Sequence, residues 1–227
     1  MQIDFTASAL MVIDVQNDFC PAYTAVSGEQ RPAGALAVSQ GDEVISPLNR
    51  LSELWVQQGG KCIATQDWHP PGHVSFASAH PGKQSGDTLE AEEIPGGQVL
   101  WPDHCVQGSG GAAFHERLQC NTVTLILRKG FRHNLDSYSA FFENDRKTPT
   151  GLDGFLRGLG IRTLALGGLA ADYCVLYSAL DAARLGYQTL VLTDAVRGVG
   201  FPAGSVERAF DRMREAGVIL VDTTELL

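Results

Sequence analysis

The residues with reactive side chains fall at the ends of hydrophobic runs. Asp14 closes one such run, Asp67 and His69 follow a second, and Lys129 closes a third. Cys174 follows a fourth, where a helical pattern begins. A thiol near an acid that can take its proton, with a lysine to steady the charges, is equipped to attack a carbonyl carbon. In an open parallel α/β sheet, ligands bind outside the carboxyl ends of the strands, so these residues should converge on one edge. The x-Asp-x-His spacing of Asp67 and His69 adds a second chemistry. Side chains alternate along an extended segment, so both groups lie on one side of it. Carboxylate plus imidazole suits Zn²⁺, Fe²⁺ or Mn²⁺. His104, in WPDHC, offers a third ligand and leaves open positions for water and substrate.

Each residue also has a plainer reading. An arbitrary cysteine is more often a small buried hydrophobe. The strand-to-helix position of Cys174 favours the nucleophile, because free N–H groups and the helix dipole lower a thiol's pKa toward the thiolate. The N–H groups around Ala170 and Cys174 could also hold an oxyanion. Asp14 reads either as a general base that later acts as an acid, or as a structural acceptor at a strand end. Asp18, further out in the same loop, reads as structural. Lys129 could stabilise a thiolate and a carboxylate together, or it could snorkel from the strand end. Arg128 beside it should point to the other side of the strand. Phe19, Trp101 and Tyr138 lie outside periodic elements. They could sandwich a flat ring, or simply cover the core. His73 stands near the Asp67/His69 pair as a fourth ligand whose role stays open, while His80, His115 and His133 read as surface or loop-packing residues.

Strands and helices must alternate to hold these groups in place. Apolar runs predict strands at 9–14, 61–66, 122–129, 162–168, 189–196 and 218–222. Helical spacing predicts helices at 43–60, 150–160, 172–187 and 203–217, with Asp172 as a cap and Gly186 as a stop for the third. This alternation implies a three-layer α/β/α arrangement around a mostly parallel six-stranded sheet. Residues 67–121 interrupt the rhythm with many Pro, Gly and His residues and little periodicity. The stretch carries five of the six histidines, so a functional loop is expected rather than a disordered one.

A length of 227 residues suits one α/β domain spanning 1–227. The net charge of −9 argues against nucleic acid and anionic membranes as partners. Five cysteines without CxxC spacing favour free thiols in a reducing compartment, hence the cytoplasm. No apolar run is long enough to span a bilayer.

IDVQNDFC, QDWHPPGHVSFA, LWPDHCVQGS, RKG…DSYSAF and GGLAADYCV, in this order, resemble the motif set of nicotinamidases, within the isochorismatase-like cysteine hydrolases. The likeness covers nearly the whole chain. It implies the isochorismatase-like hydrolase fold with sheet order 3-2-1-4-5-6. It implies a catalytic triad of Asp14, Lys129 and Cys174 and a divalent metal on Asp67, His69 and His104. Phe19 and Trp101 would form aromatic walls, with Tyr138 nearby, and a cis peptide between Leu169 and Ala170 would shape an oxyanion hole at Ala170 and Cys174. Some relatives take a fourth metal ligand from the loop after the Asp-x-His pair, and the spacing of His73 fits that role imperfectly. The implied activity is hydrolysis of nicotinamide to nicotinate and ammonia in NAD salvage, with pyrazinamide as a side substrate. Homo-oligomerisation stays open. Competing readings are an isochorismatase, an N-carbamoyl or general aromatic amide hydrolase, a non-catalytic nicotinamide or metal binder, and a redox-sensing thiol protein. The last needs an accessible Cys174 and a resolving thiol, for which only Cys105 or Cys20 could serve.

Overall fold

Aliphatic and β-branched runs form a six-stranded sheet in the computed structural model, which describes residues 3–92, 94 and 96–226. The strands are β1 (Ser8–Ile13), β2 (Lys61–Asp67), β3 (Leu125–Lys129), β4 (Thr163–Leu169), β5 (Gln188–Arg197) and β6 (Ile219–Val221). They lie in the spatial order β6-β5-β4-β1-β2-β3. Every neighbouring pair is parallel. This is the expected 3-2-1-4-5-6 order, and it puts the switch point between β1 and β4.

β1 is buried along its whole length. Its period of two sends Ala9, Met11 and Ile13 to one face and Leu10 and Val12 to the other. The first set packs in a core with Leu152 and Leu156 of α2 (Leu152–Gly158), Val175 and Ala179 of α3 (Cys174–Arg184), and Met213 of α4 (Ser205–Glu215). The second packs with Leu48, Leu51 and Trp55 of α1 (Ile45–Gln57). A strand covered on both faces needs a nearly continuous apolar sequence, as ALMVI provides. Each fully buried Leu or Ile in it contributes about 1.5–3 kcal/mol. Gly168, at φ +121, stands where β4 closes on β1, and a Cβ there would lie 2.1 Å from the Ile13 carbonyl oxygen. No side chain fits at that position.

Several boundaries differ from expectation. β3 starts at Leu125 because Cys120–Thr122 form a 3₁₀ turn that carries the chain into the sheet. α1 is preceded by a 3₁₀ turn, Gly41–Val44, and ends at Gln57. Asp172 does not cap α3. Its carboxylate instead accepts from the Val199 and Gly200 N–H groups at 2.9 Å each and from the Ser205 hydroxyl, tying the start of α3 to the loop before α4. The described residues of the 67–121 stretch pack around buried His73, Ser75, Phe76, Trp101 and His104 and form a short ladder of Thr88–Leu89 with Gln98–Val99. No helix among the described residues is long and apolar enough to cross a membrane.

Candidate active site

The carboxyl ends of β1, β2, β3 and β4 bring the predicted residues together. Lys129, last in β3, is fully buried. Its ammonium lies 2.9 Å from Asp14 Oδ2 and donates to the Ser137 carbonyl at 3.0 Å and to Cys174 Sγ at 3.3 Å. It also donates to Asp67 Oδ1. One oxygen of Asp14, one of Asp67 and the Cys174 sulfur all lie within 4.8 Å of one another. Lys129 is therefore no snorkelling end residue. Arg128 does turn the other way, donating to Gln66 Oε1 at 3.1 Å with its guanidinium 3.8 Å from the centre of the Trp68 ring.

Asp14 sits one residue past β1, in a left-handed conformation (φ 47) that is unusual for a residue with a side chain. Thr65 of β2 holds it there. The Thr65 hydroxyl donates to Asp14 Oδ1 at 2.6 Å and accepts from the Asp14 N–H at 3.1 Å. Oδ2 is left to face Lys129. Complete burial pushes the Asp14 carboxyl up, against the pull of Lys129. Burial likewise pushes the Cys174 thiol well above its ordinary value, against the pull of Lys129. One Asp14 carboxylate oxygen lies within 4.8 Å of this sulfur, placed to act as its base. The N–H groups of Ala170 and Cys174 donate to no backbone carbonyl among the described residues. Both residues line the same cleft, and the Leu169–Ala170 peptide is cis as expected.

The second cluster forms beside the first. His69 Nε2 and His104 Nε2 lie 3.6 and 4.0 Å from Asp67 Oδ2. Each ring turns its Nδ1 to a carbonyl oxygen at 2.8 Å, Gly130 for His69 and Pro102 for His104. A carbonyl only accepts, so Nδ1 carries the proton and both Nε2 lone pairs are free toward Asp67. That is the tautomer a divalent metal requires, and the three ligand atoms lie within 4.8 Å of one another. The donor set fits such an ion. Burial and the neighbouring His69 hold His104 down to about 4, so its imidazole is neutral at pH 7. Burial opposes ionisation of Asp67, but the Lys129 ammonium holds its carboxyl below the usual range. His73 is fully buried and stacked on His69, with ring centres 4.3 Å apart. It groups with His69 and Asp136 rather than with Asp67 and His104, so the structure leaves it outside the three-ligand set.

Beside the two clusters is a cleft lined by Phe19, Trp101 and Tyr138. Trp101 donates from Nε1 to the Tyr138 hydroxyl at 3.1 Å, which fixes both rings. Asp18 is structural, as expected, and accepts from the Cys105 N–H at 2.7 Å. His115 packs on Tyr23, His80 bonds the Val74 carbonyl and His133 is exposed. All five cysteines are free. Cys174 is 6% exposed and burial pushes the Cys20 thiol up to about 12, which disfavours thiol–disulfide exchange between them.

Sequence reasoning did not single out Thr65, Gly130, Gln16, Tyr173, Leu36 or Val199. Gln16 clamps Asp67, accepting from its N–H and donating to its carbonyl at 2.8 Å each. Gly130 has φ +64, and a Cβ there would lie 2.4 Å from His69 Cε1. Only glycine lets the His69 ring reach the carbonyl that sets its tautomer. Tyr173, Leu36 and Val199 complete the cleft.

The six-stranded parallel α/β/α sheet is the isochorismatase-like fold, and the chain belongs to the isochorismatase family, whose domain matches residues 8–225. Within it, the chain is similar to nicotinamidases. It is 42% identical over 219 residues to the nicotinamidase of Acinetobacter baylyi, covering 96% of this chain and 94% of that one. The solved structure of an Acinetobacter baumanii nicotinamidase/pyrazinamidase superposes with a TM-score of 0.88 at 44% identity, covering all of both chains. A pyrazinamidase of Pyrococcus horikoshii in complex with zinc superposes with a TM-score of 0.72 at 31% identity, covering 95% and 99%.

Proposed function

We propose that this protein hydrolyses nicotinamide to nicotinate and ammonia through a thioester on Cys174. The observation that carries the reading is the buried Lys129 ammonium, in contact at once with Asp14, Asp67 and the Cys174 sulfur. Such an arrangement holds an acid, a nucleophile and their shared charge in one fixed frame.

Asp14 takes the thiol proton as sulfur bonds to the carboxamide carbon. The carbonyl π electrons move to oxygen, and the N–H groups of Ala170 and Cys174 face the oxyanion. Asp14 passes its proton to the amide nitrogen, the C–N bond breaks and ammonia leaves. A water then loses its proton to Asp14 and adds to the thioester carbon. The C–S bond breaks, the proton returns to sulfur and nicotinate departs. Lys129 stays charged throughout and offsets the negative charge as it moves between oxygen and sulfur.

Phe19 and Trp101 would flank the pyridine ring, with Tyr138 anchoring Trp101. Asp67, His69 and His104 would hold one divalent metal, Zn²⁺, Fe²⁺ or Mn²⁺, which supplies a Lewis-acid contact for orienting the substrate ring. The zinc of the Pyrococcus relative supports a metal here. Pyrazinamide would be a side substrate. The reading extends to one domain over the whole chain, acting in the cytoplasm in NAD salvage.

The test is ammonia release from nicotinamide, pyrazinamide and benzamide, with metal content measured on the same sample. Turnover of nicotinamide that is lost in Cys174→Ala supports the reading. No turnover by folded, metal-loaded protein would overturn it.

A further inference from the structure

Thirteen arginines are spread along the chain. Ten of them have a side-chain hydrogen bond or an ion pair. The guanidinium groups of Arg146, Arg184 and Arg212 have neither among the described residues, and these three line one hollow of about 270 Å³. They come from three separate elements: the loop after β3, the end of α3, and α4. On a chain of net charge −9 this is a local concentration of unneutralised positive charge.

The floor between the cations is apolar and aromatic. Phe142, Tyr177 and Leu180 line it. Arg146 and Arg212 stand 5.9 and 5.4 Å from the Tyr177 ring centre, and Arg184 stands 5.2 Å from that of Phe142. The π faces hold the guanidinium planes in position but leave their N–H forks without acceptors. Two carboxylates are also present. Glu143 is paired with Arg132 at 3.3 Å. Asp181 lies close enough to Arg184 and Arg146 to feel their charge but is in contact with neither. Among the described residues, three positive charges thus face one carboxylate that has no ion pair. Guanidinium forks match phosphate oxygens in pairs, and the adjoining apolar floor suits a flat ring.

We propose that this hollow binds a nucleoside phosphate, its phosphates on Arg146, Arg184 and Arg212 and its base against Phe142, Tyr177 and Leu180. The site is separate from the substrate cleft but shares walls with it, because Tyr138 and Tyr173 line both. Tyr138 stacks on Tyr177 at 5.5 Å and meets Tyr173 edge-on at 5.3 Å, and Tyr173 meets Trp101 at 4.9 Å. A continuous run of rings therefore joins the two hollows.

The test is calorimetric titration of the intact protein with ADP, pyrophosphate and adenosine, repeated on the double variant Arg146→Gln/Arg212→Gln. Both side chains are exposed and make no structural hydrogen bond, so circular dichroism and basal turnover of the variant should match the wild type. The expected result is ADP binding at or below about 1 mM. The double variant should bind ADP at least about 100-fold more weakly, about tenfold for each charge-assisted fork removed. Adenosine should fail to bind, and pyrophosphate should bind more weakly than ADP. No heat with ADP, or equal ADP affinity in wild type and variant, would overturn the site. Pyrophosphate binding as tightly as ADP would overturn the nucleoside assignment.

Discussion

Removing the Thr65 hydroxyl should disable the catalytic base without touching it. Thr65→Val keeps the shape of a β-branched side chain in β2 but deletes both hydrogen bonds to Asp14, the 2.6 Å donation to Oδ1 and the 3.1 Å acceptance from its N–H. A hydrogen bond to a charged group contributes about 1.5–3 kcal/mol. Lost from the ionised base in the attacking state, this lowers kcat/KM about 10- to 150-fold. The direction of the pH effect follows from the same bond. Burial raises the Asp14 carboxyl, and the Thr65 donation opposes that rise. Without it the carboxyl rises further. Asp14 accepts a proton only when ionised, so activity is lost as pH falls through its pKa, and the acid limb of the kcat/KM profile should move to higher pH. Thr65→Ser keeps the hydroxyl and should restore both limb and rate to within a few-fold. The assay is ammonia release from nicotinamide across pH for the three proteins. A Thr65→Val profile superimposable on the wild type would refute the reasoning, as would an equal loss in Thr65→Ser, which would indicate a packing effect.

Three further outcomes are expected. Cys174→Ala should lower ammonia release by on the order of 10⁴-fold or more, and adding Lys129→Met should cost little extra, because residues acting as a unit are not additive. Lys129→Met alone leaves Asp14 and Asp67 buried without their cation and should destabilise the fold by about 3–5 kcal/mol in urea denaturation at pH 7. Asp67 is held below its ordinary 3.8, so its contribution is present above that pH and lost as pH falls through the folded value; the gap between the two proteins should narrow in acid. His104→Ala should lose its metal by elemental analysis and with it the preference for nicotinamide over benzamide, a preference that can reach about 10⁴–10⁵ when a site is built to bond one polar atom.

The sheet was legible because its signals are local. The ALMVI run could belong only to a strand covered on both faces, and the ends of four strands marked where Asp14, Asp67, Lys129 and Cys174 had to meet. The roles of Phe19, Trp101 and Tyr138 depended on resemblance, because an aromatic in a loop has no periodicity to betray its direction. Thr65 was hidden by its type, since a threonine inside a buried strand looks like ordinary β-branched filling. Gly130 carried no signal of its own, because its constraint comes from a ring 61 residues away in the chain. The surroundings of Cys174 were hidden for a related reason. A helix start is written in the sequence, whereas burial among two carboxylates is created only by the tertiary fold.

The carboxylate of Asp67 belongs to two centres at once. One oxygen takes the Lys129 ammonium and the other faces the His69 and His104 nitrogens. The nucleophilic and metal-binding halves are therefore wired through a single side chain and cannot diverge independently. A lineage that gave up the metal would also have to rebuild the partner of its lysine, and one that retuned the lysine would disturb its ligand set. Asp67 thus ties the two centres together, whereas His104 faces only one of its oxygens and joins the candidate metal cluster to the cleft wall at Phe19.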